Sequence, residues 1–290
     1  MDKDEERLLR GRLRDLSQAA YQRDILRHTN FLSLSEQALY HRVSRELAPC
    51  RTALCGGHPE ADRAVLAFLP SYMEAEGQEA HAFSDDAQSR QTVERGRTGQ
   101  DGEASRWQAP TWASELLACV RIDAAHEKFA EPLTHRDYLG ALMNLGIERA
   151  KTGDILADGQ GTHAFLFCTK DIAPLICEEL DRVRHTTVRC TPAELSDCDI
   201  VPAFEQMKVN VASERLDAVI AAVWKLSRSE AAALCAQEAV FADGESLSQP
   251  GCRLKEGARV SVRGYGKFIY EGMINLSRKG RLFVEIRKFI

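Results

Sequence analysis

The chain has 290 residues, 44% of them hydrophobic and 28% charged, with 38 Lys and Arg against 43 Asp and Glu. These proportions exclude a fibrous or wholly disordered protein, and the length allows two or three domains. A formal charge of -5, taken as a total, argues against a polyanion as partner. The longest strongly apolar run, Ala64–Leu69, falls far short of the ~20 residues that cross a bilayer, so no membrane partner is expected.

The opening Met1-Asp2-Lys3-Asp4-Glu5-Glu6 is acidic and has no apolar core, unlike a secretory signal or a transit peptide, and predicts a cytoplasmic protein. Nine cysteines without paired spacing suit a reducing compartment. Cys50, Cys55 and His58 have a metal-like spacing, but no fourth ligand stands in matching local context, so incidental thiols are favoured and no metal or cofactor is expected.

Leu9, Leu13, Leu16 and Ala20 fall on one helical face, and Ser33 with Glu36 announces a second helix carrying Leu39, Val43 and Leu47. The segment up to about Ala53 therefore reads as helical, and an N-terminal helical region is set at 1–57. Residues 76 to about 112 mix charges with Gly, Ser and Gln around few large apolar side chains. They read as a flexible insertion.

From Leu116 the pattern runs strand, helix, strand, strand, helix, strand. Leu117–Ile122 is a short apolar strand, Thr134 to Leu145 a helix closed by Gly146, and Asp158-Gly159 a hairpin turn ahead of the strand His163–Cys168. Ile172–Val183 reads as a helix with Leu175, Ile176, Leu180 and Val183 inward, and Thr187–Cys190 as the closing strand. That order is the split βαβ of ferredoxin-like and RRM-like domains, set at 58–200, with Ala64–Leu69 as a candidate edge strand.

The last module begins near Phe204. One helix carries Leu216, Val219, Ile220 and Val223, an Ala-rich second one covers Ser229 to Gln237, and Asp243-Gly244 marks a turn before the strand Arg259 to Val262. In the final hairpin Leu282, Val284 and Ile286 alternate with Phe283, Glu285 and Arg287, one set for packing and one for water. Charge is segregated here: residues 250–290 hold 10 basic and 3 acidic side chains (+7), whereas 1–249 hold 28 and 40 (-12). Local field decides which partner is attracted, so the basic segment reinstates a polyanion.

Ser213-Glu214-Arg215-Leu216-Asp217, Leu226-Ser227-Arg228-Ser229-Glu230-Ala231, Val240 with Asp243-Gly244, and Val260 through Phe268 resemble, in order, the S4 RNA-binding domain. Glu238 and Asp243 stand where that pattern usually has Gly and Asn, placing two acids near the expected RNA face. His58 to Ala64, Leu133 to Arg149, and Gly153-Asp154-Ile155 are similar to the YlmH-type S4 proteins. The resemblance implies an α+β protein: a helical N-terminal region, an RRM-like middle domain and an S4 domain over 204–290. It further implies association with the large ribosomal subunit and a role in rescuing stalled translation, with rRNA as partner and tRNA or peptidyl-tRNA as a further candidate. Links to cell division and to photosystem II also attach to the family.

The RNA-binding residues so expected are Arg215, Ser227, Arg228, Arg259, Arg263, Lys267, Arg278, Lys279 and Arg281. Arg215 and Arg228 each open a helix, where unpaired N–H groups already favour phosphate and a guanidinium adds a bidentate grip. Asp217 is read as a helix-start residue or arginine partner. His135 and Arg136 are a secondary RNA candidate, with a structural role preferred. A monomer is expected.

Rival readings are weaker. His135-Arg136-Asp137 imitates a kinase catalytic loop, but Asn144 lies seven residues after the Asp rather than five, and no Gly-rich loop accompanies it. Phe165 and Phe167 stand where RRMs stack bases, yet an isolated alternating pair is more often core. Arg215-Leu216-Asp217 resembles a pseudouridine-synthase triplet, without a catalytic domain to serve it. No enzyme is expected. An RNA-modifying enzyme, or an adaptor for division or photosystem assembly, is the alternative.

Overall fold

The computed structural model describes residues 1–74, 79–81, 107–126, 128, 130–200, 202–276 and 280–290. The chain divides into two compact units, Met1–Val201 and Pro202–Ile290. It mixes helix and sheet throughout, as an α+β fold should.

Helix α1 (Lys3–Arg23) is capped by Asp2, whose carboxylate accepts the backbone N–H groups of Asp4 and Glu5. Leu13 and Ala20 of its apolar stripe are buried. Strand β1 (Arg27–Leu32) follows, then α2 (Leu34–Val43), where Glu36 accepts the Ser33 N–H at 2.7 Å as the capping box requires. Strands β2 (Arg51–Cys55), β3 (Ala64–Leu69) and β4 (Glu79–His81) complete a four-stranded sheet ordered β1-β3-β2-β4. The two helices form as expected. The strands β1 and β2 were hidden within the same stretch, because six and five residues of mixed polarity carry too little period-2 signal.

Ala64–Leu69 is corrected by its pairing. It lies between β1 and β2, at the interior of this first sheet rather than at the edge of the second. Its unbroken apolar run has a direct cause, since both faces are covered. Ala64, Leu66 and Phe68 pack with α1 and α2, and Val65, Ala67 and Leu69 face the second sheet.

That second sheet comprises α3 (Ala113–Leu116), β5 (Leu117–Ala124), α4 (His135–Asn144), β6 (Thr152–Ala157), β7 (His163–Thr169), α5 (Ala173–Glu179), β8 (Arg182–Val183) and β9 (Thr186–Ala193). The strand order β6-β7-β5-β9-β8, antiparallel throughout, is the ferredoxin-like arrangement. Helix α5 is shorter than its apolar spacing predicts: it stops at Glu179, Val183 enters β8, and Leu175 is exposed while Ile176 is buried. Most of the expected insertion lies outside the described residues. Its described end corrects the reading of the segment as flexible to 112, for Trp112 is buried between the sheets and Trp107 packs against the same core.

Helices α4 and α5 cover one face of the second sheet through Tyr138, Leu142 and Ile176. The opposite face, bearing Cys119, Phe165 and Phe167, packs against Phe31, Ala53, Cys55 and Val65. A polar clamp joins the same elements: Asp154 accepts from the Asp62 N–H at 2.7 Å and meets His58 Nε2 at 3.1 Å, while Arg63 donates to the carbonyls of Thr152 and Phe31. Burial alone would raise the Asp154 carboxyl, but the bonds from His58 and the backbone hold it below its ordinary range. The Arg149 guanidinium, donating to Thr152 and Gly153, is pushed down to about 10 by burial and by neighbouring Arg63.

Gly57 shows how closely the layers meet. Its φ is +93°, and a β-carbon there would stand 2.4 Å from the Phe167 ring. Gly57→Ala combines left-handed strain with overpacking, and should destabilise the protein by about 3 kcal/mol, read as a lower midpoint in urea unfolding.

The second unit opens with β10 (Phe204–Val211), then α6 (Leu216–Trp224), α7 (Arg228–Ala236), β11 (Val240–Ala242), β12 (Glu245–Ser246), β13 (Ala258–Val262), β14 (Gly266–Leu276) and β15 (Leu282–Phe289). They form a six-stranded sheet ordered β10-β15-β14-β13-β11-β12. Its inner face, with Val209, Val260, Phe268, Tyr270, Val284 and Ile286, packs against Leu216, Val219, Ile220 and Ala231 of the two helices. The alternation expected in β15 is observed, Val284 and Ile286 being fully buried.

Candidate nucleic-acid interface

Asp217 organises the start of α6. It sits in the first turn at 4% exposure. Its carboxylate accepts from Arg215 Nε at 3.2 Å and Nη2 at 3.0 Å, and from Arg228 Nη2 at 2.8 Å. Burial on its own would raise this carboxyl, and the two guanidinium groups more than offset it, holding it below the ordinary carboxylate range. The hydrogen bond to Asp217 in turn raises Arg215. Both arginine side chains remain about half exposed, at 47% and 53%. One buried anion thus fixes two cations side by side while leaving about half of each arginine side chain open to solvent, an arrangement chemically suited to an anion.

The loop after β12 completes the site. Gly251 brings its backbone against Arg215, where even a β-carbon would lie 3.3 Å from the guanidinium carbon. Next to it Arg253, a highly exposed cation, bonds Glu214, which also accepts from the Tyr270 hydroxyl at 2.6 Å. Ala212, Ser213, Glu214, Arg215, Arg253 and Leu282 line an open cleft of about 310 Å³. In the sequence Arg253 counts only as part of the basic segment and Tyr270 has no visible role, because their positions depend on a loop returning to the helix start.

The expected helix-terminal anion site at α6 is corrected by that loop. The Leu216 N–H donates to the Cys252 carbonyl at 2.8 Å and the Asp217 N–H to the Pro250 carbonyl at 3.0 Å, so these donors are already used. At α7, Ser227 Oγ accepts the Glu230 N–H and Glu230 accepts the Ser227 N–H, giving Ser227 a capping role. Arginine side chains, rather than open N-termini, supply the cationic surface.

The remaining expected residues are spread out. Arg259 alternates with buried Ala258 and Val260, so its side chain leaves the sheet on the face away from the helices. Arg263 and Lys267 flank the β13–β14 turn, where Tyr265 meets Trp224 at the far end of α6, some ~13 Å along the helix from Arg215. Arg281 donates to the Asn210 carbonyl at 3.2 Å. Arg278 and Lys279 lie outside the described residues. Asp243 and Glu238 take positive φ, and the Asp243 carboxylate accepts the Arg259 N–H at 2.9 Å, a structural use for one of the two acids.

In the first unit, His135 and Arg136 are exposed at the start of α4, whose Thr134–Asp137 box is formed. That settles the local role of Asp137 as a helix cap. Phe165 and Phe167 are fully buried, as the core reading held. Burial pushes the thiols of Cys50 and Cys55 up to about 11, and among the described residues no group of His, Cys, Asp or Glu is placed to hold a metal ion. No helix among them is long and apolar enough to cross a membrane.

Residues 117–197, which run from β5 through β9, match the domain family described as "Putative RNA-binding domain in YlmH". The ribosome-associated protein quality control protein P2 of Bacillus subtilis is 25% identical over 240 residues, covering 82% of this chain and 78% of its own. The chain is similar to the YlmH-type proteins. A solved structure of the cell division protein ylmH from Streptococcus pneumoniae aligns with a TM-score of 0.44 at 16% identity, over 68% of this chain and 96% of that one. Two stretches that carried the YlmH-type resemblance, His58–Ala64 and Gly153–Ile155, meet in the clamp around Asp154. The face on which an RRM stacks bases is occupied by the first sheet, so in this chain Phe165 and Phe167 are inaccessible to RNA.

Proposed function

We propose that this protein binds rRNA of the large ribosomal subunit without catalysing a reaction, through the arginine pair held on Asp217, and acts in quality control of stalled translation. The observation that carries the reading is the pair itself: two half-exposed arginine side chains fixed by one buried carboxylate, Arg215 lining a cleft, in the same compact unit as the +7 segment 250–290. Such a site recognises the phosphate geometry of folded RNA and needs no base-reading code. The acidic remainder disfavours indiscriminate RNA binding, so stable association calls for a shaped site. The name of the Bacillus relative supports the ribosomal setting, and tRNA held on the same subunit is a further ligand of the same chemistry. Ser227 is a neighbour that positions Arg228 through its cap.

The test is co-sedimentation of the tagged protein with purified large subunits over a salt series. Arg215→Ala, Asp217→Ala and Arg228→Ala combined should greatly weaken binding and flatten the salt dependence by a slope of up to ~2, about one for each phosphate no longer neutralised. A folded triple variant that co-sediments unchanged would overturn the assignment. So would particles purified through the tag that hold division proteins and no ribosomal RNA.

A further inference from the structure

The sheet of the second unit has a face that the Asp217 site does not use. Cross-strand partners share a face, so the register groups Phe204 with Phe289, Gln206 with Arg287, Ile269 and Arg259, Lys208 with Glu285, Asn210 with Phe283, and Phe241 with Ser261 and Lys267. They lie opposite α6 and α7, since they alternate along their strands with Val209, Val240, Val260, Phe268, Val284 and Ile286, which form the buried core with those helices. Phe204, Phe241, Phe283 and Phe289 are each partly exposed.

Cations are interleaved with these rings. The Arg287 guanidinium stands over Phe204 at 5.0 Å and that of Arg263 over Phe241 at 5.7 Å, while Phe204 and Phe289 lie 4.7 Å apart, centre to centre. Lys208, Arg259, Arg263, Lys267 and Arg287 oppose Glu271 and Glu285, the former bonded to Arg287 at 2.5 Å. The local balance is therefore positive in a chain that is negative overall. Five strands from β10 to β11 make the face roughly 19 Å wide, enough for a short run of nucleotides.

Aromatic rings within a cationic sheet surface are the elements that hold single-stranded nucleic acid, rings under bases and cations along phosphates. We infer that this face is a second RNA site, a stacking platform for a single-stranded segment, distinct from the arginine pair that grips folded RNA. It gives Arg259, Arg263 and Lys267 a ligand of their own instead of an extension of the Asp217 site. A folded duplex keeps its bases stacked inside and offers the rings nothing.

Fluorescein-labelled 12-nucleotide oligouridine, titrated with the full-length protein and followed by anisotropy, tests the inference, with a 12-base-pair RNA duplex as the control. Phe241→Leu, Phe283→Leu and Phe289→Leu combined keep apolar bulk and every charge but remove three rings. Binding of the single strand should fall at least tenfold while duplex binding is unchanged. The Arg215, Asp217 and Arg228 triple variant should retain single-strand binding while losing large subunits, which separates this site from the proposed function. A leucine variant with wild-type thermal unfolding and undiminished single-strand affinity overturns the platform, as does wild-type protein that ignores the single strand. If the leucine variant does not fold, Lys208→Glu with Arg263→Glu replaces it: a fivefold or larger loss on the single strand supports the platform, and no loss overturns it.

Discussion

Removing both Arg215 and Arg228 as alanines should cost the second unit about 3 kcal/mol of stability as well as its hold on RNA. Asp217 is 4% exposed and its carboxylate depends on these two partners. Without them a buried anion is left uncompensated, whereas the arginines themselves, half in water, lose little by being removed. The pH dependence gives a sharper signature. In the wild type the folded-state carboxyl lies below its unfolded value of ~3.9, so its contribution is full above that value and fades as pH falls through the folded one. In the double variant only burial acts, the folded value rises above ~3.9, and stability is instead lost as pH rises through it. Urea unfolding at pH 7 and pH 5 should therefore show the variant gaining stability on acidification where the wild type does not. Adding Asp217→Ala should restore much of the stability and none of the binding, because deleting a whole ion cluster is milder than orphaning one member. A double variant with wild-type stability at both pH values would refute the pinning role of Asp217.

Phe165→Ala with Phe167→Ala gives the opposite profile: a large loss of stability with RNA affinity retained by the molecules that stay folded. Each ring is fully buried between the two sheets of the first unit, and truncating a buried Phe costs roughly 3–5 kcal/mol. For a unit of this size the melting temperature should drop by about 10 °C or more. Stacking by these rings would require the sheets to part, and the clamp through Asp154, Arg63 and His58 crosses that seam. Measured on the folded fraction at low temperature, unchanged binding to large subunits is expected. A selective loss of affinity with an intact thermal transition would return RNA to the RRM face.

Local signals were legible where the chemistry was local. The capping boxes Ser33–Glu36 and Thr134–Asp137 and the turn at Asp158-Gly159 depend on residues three or four apart, and each is formed. The βαββαβ order was readable because its strands are apolar and its helices periodic. Strands β1 and β2 are not, being short and of mixed polarity, and β3 carries a strand signal with nothing local to say which sheet it joins. Trp112 looked like part of a polar insertion because composition averages over a window, while burial depends on one side chain reaching a pocket.

At the candidate site the sequence by itself determined which groups carry charge and that they gather near the C-terminus: ten cations in 250–290, and Arg215, Asp217 and Arg228 at helix starts. Charge and helix periodicity are properties of residue type and near neighbours, so they survive without coordinates. Only the tertiary structure decided that Asp217 binds both arginines, that a returning loop occupies the α6 N-terminus, and that Arg259, Arg263 and Lys267 belong to another face. Those facts rest on strand register and on chain segments distant in sequence meeting in space, where a shift of one residue would turn each side chain to the opposite face.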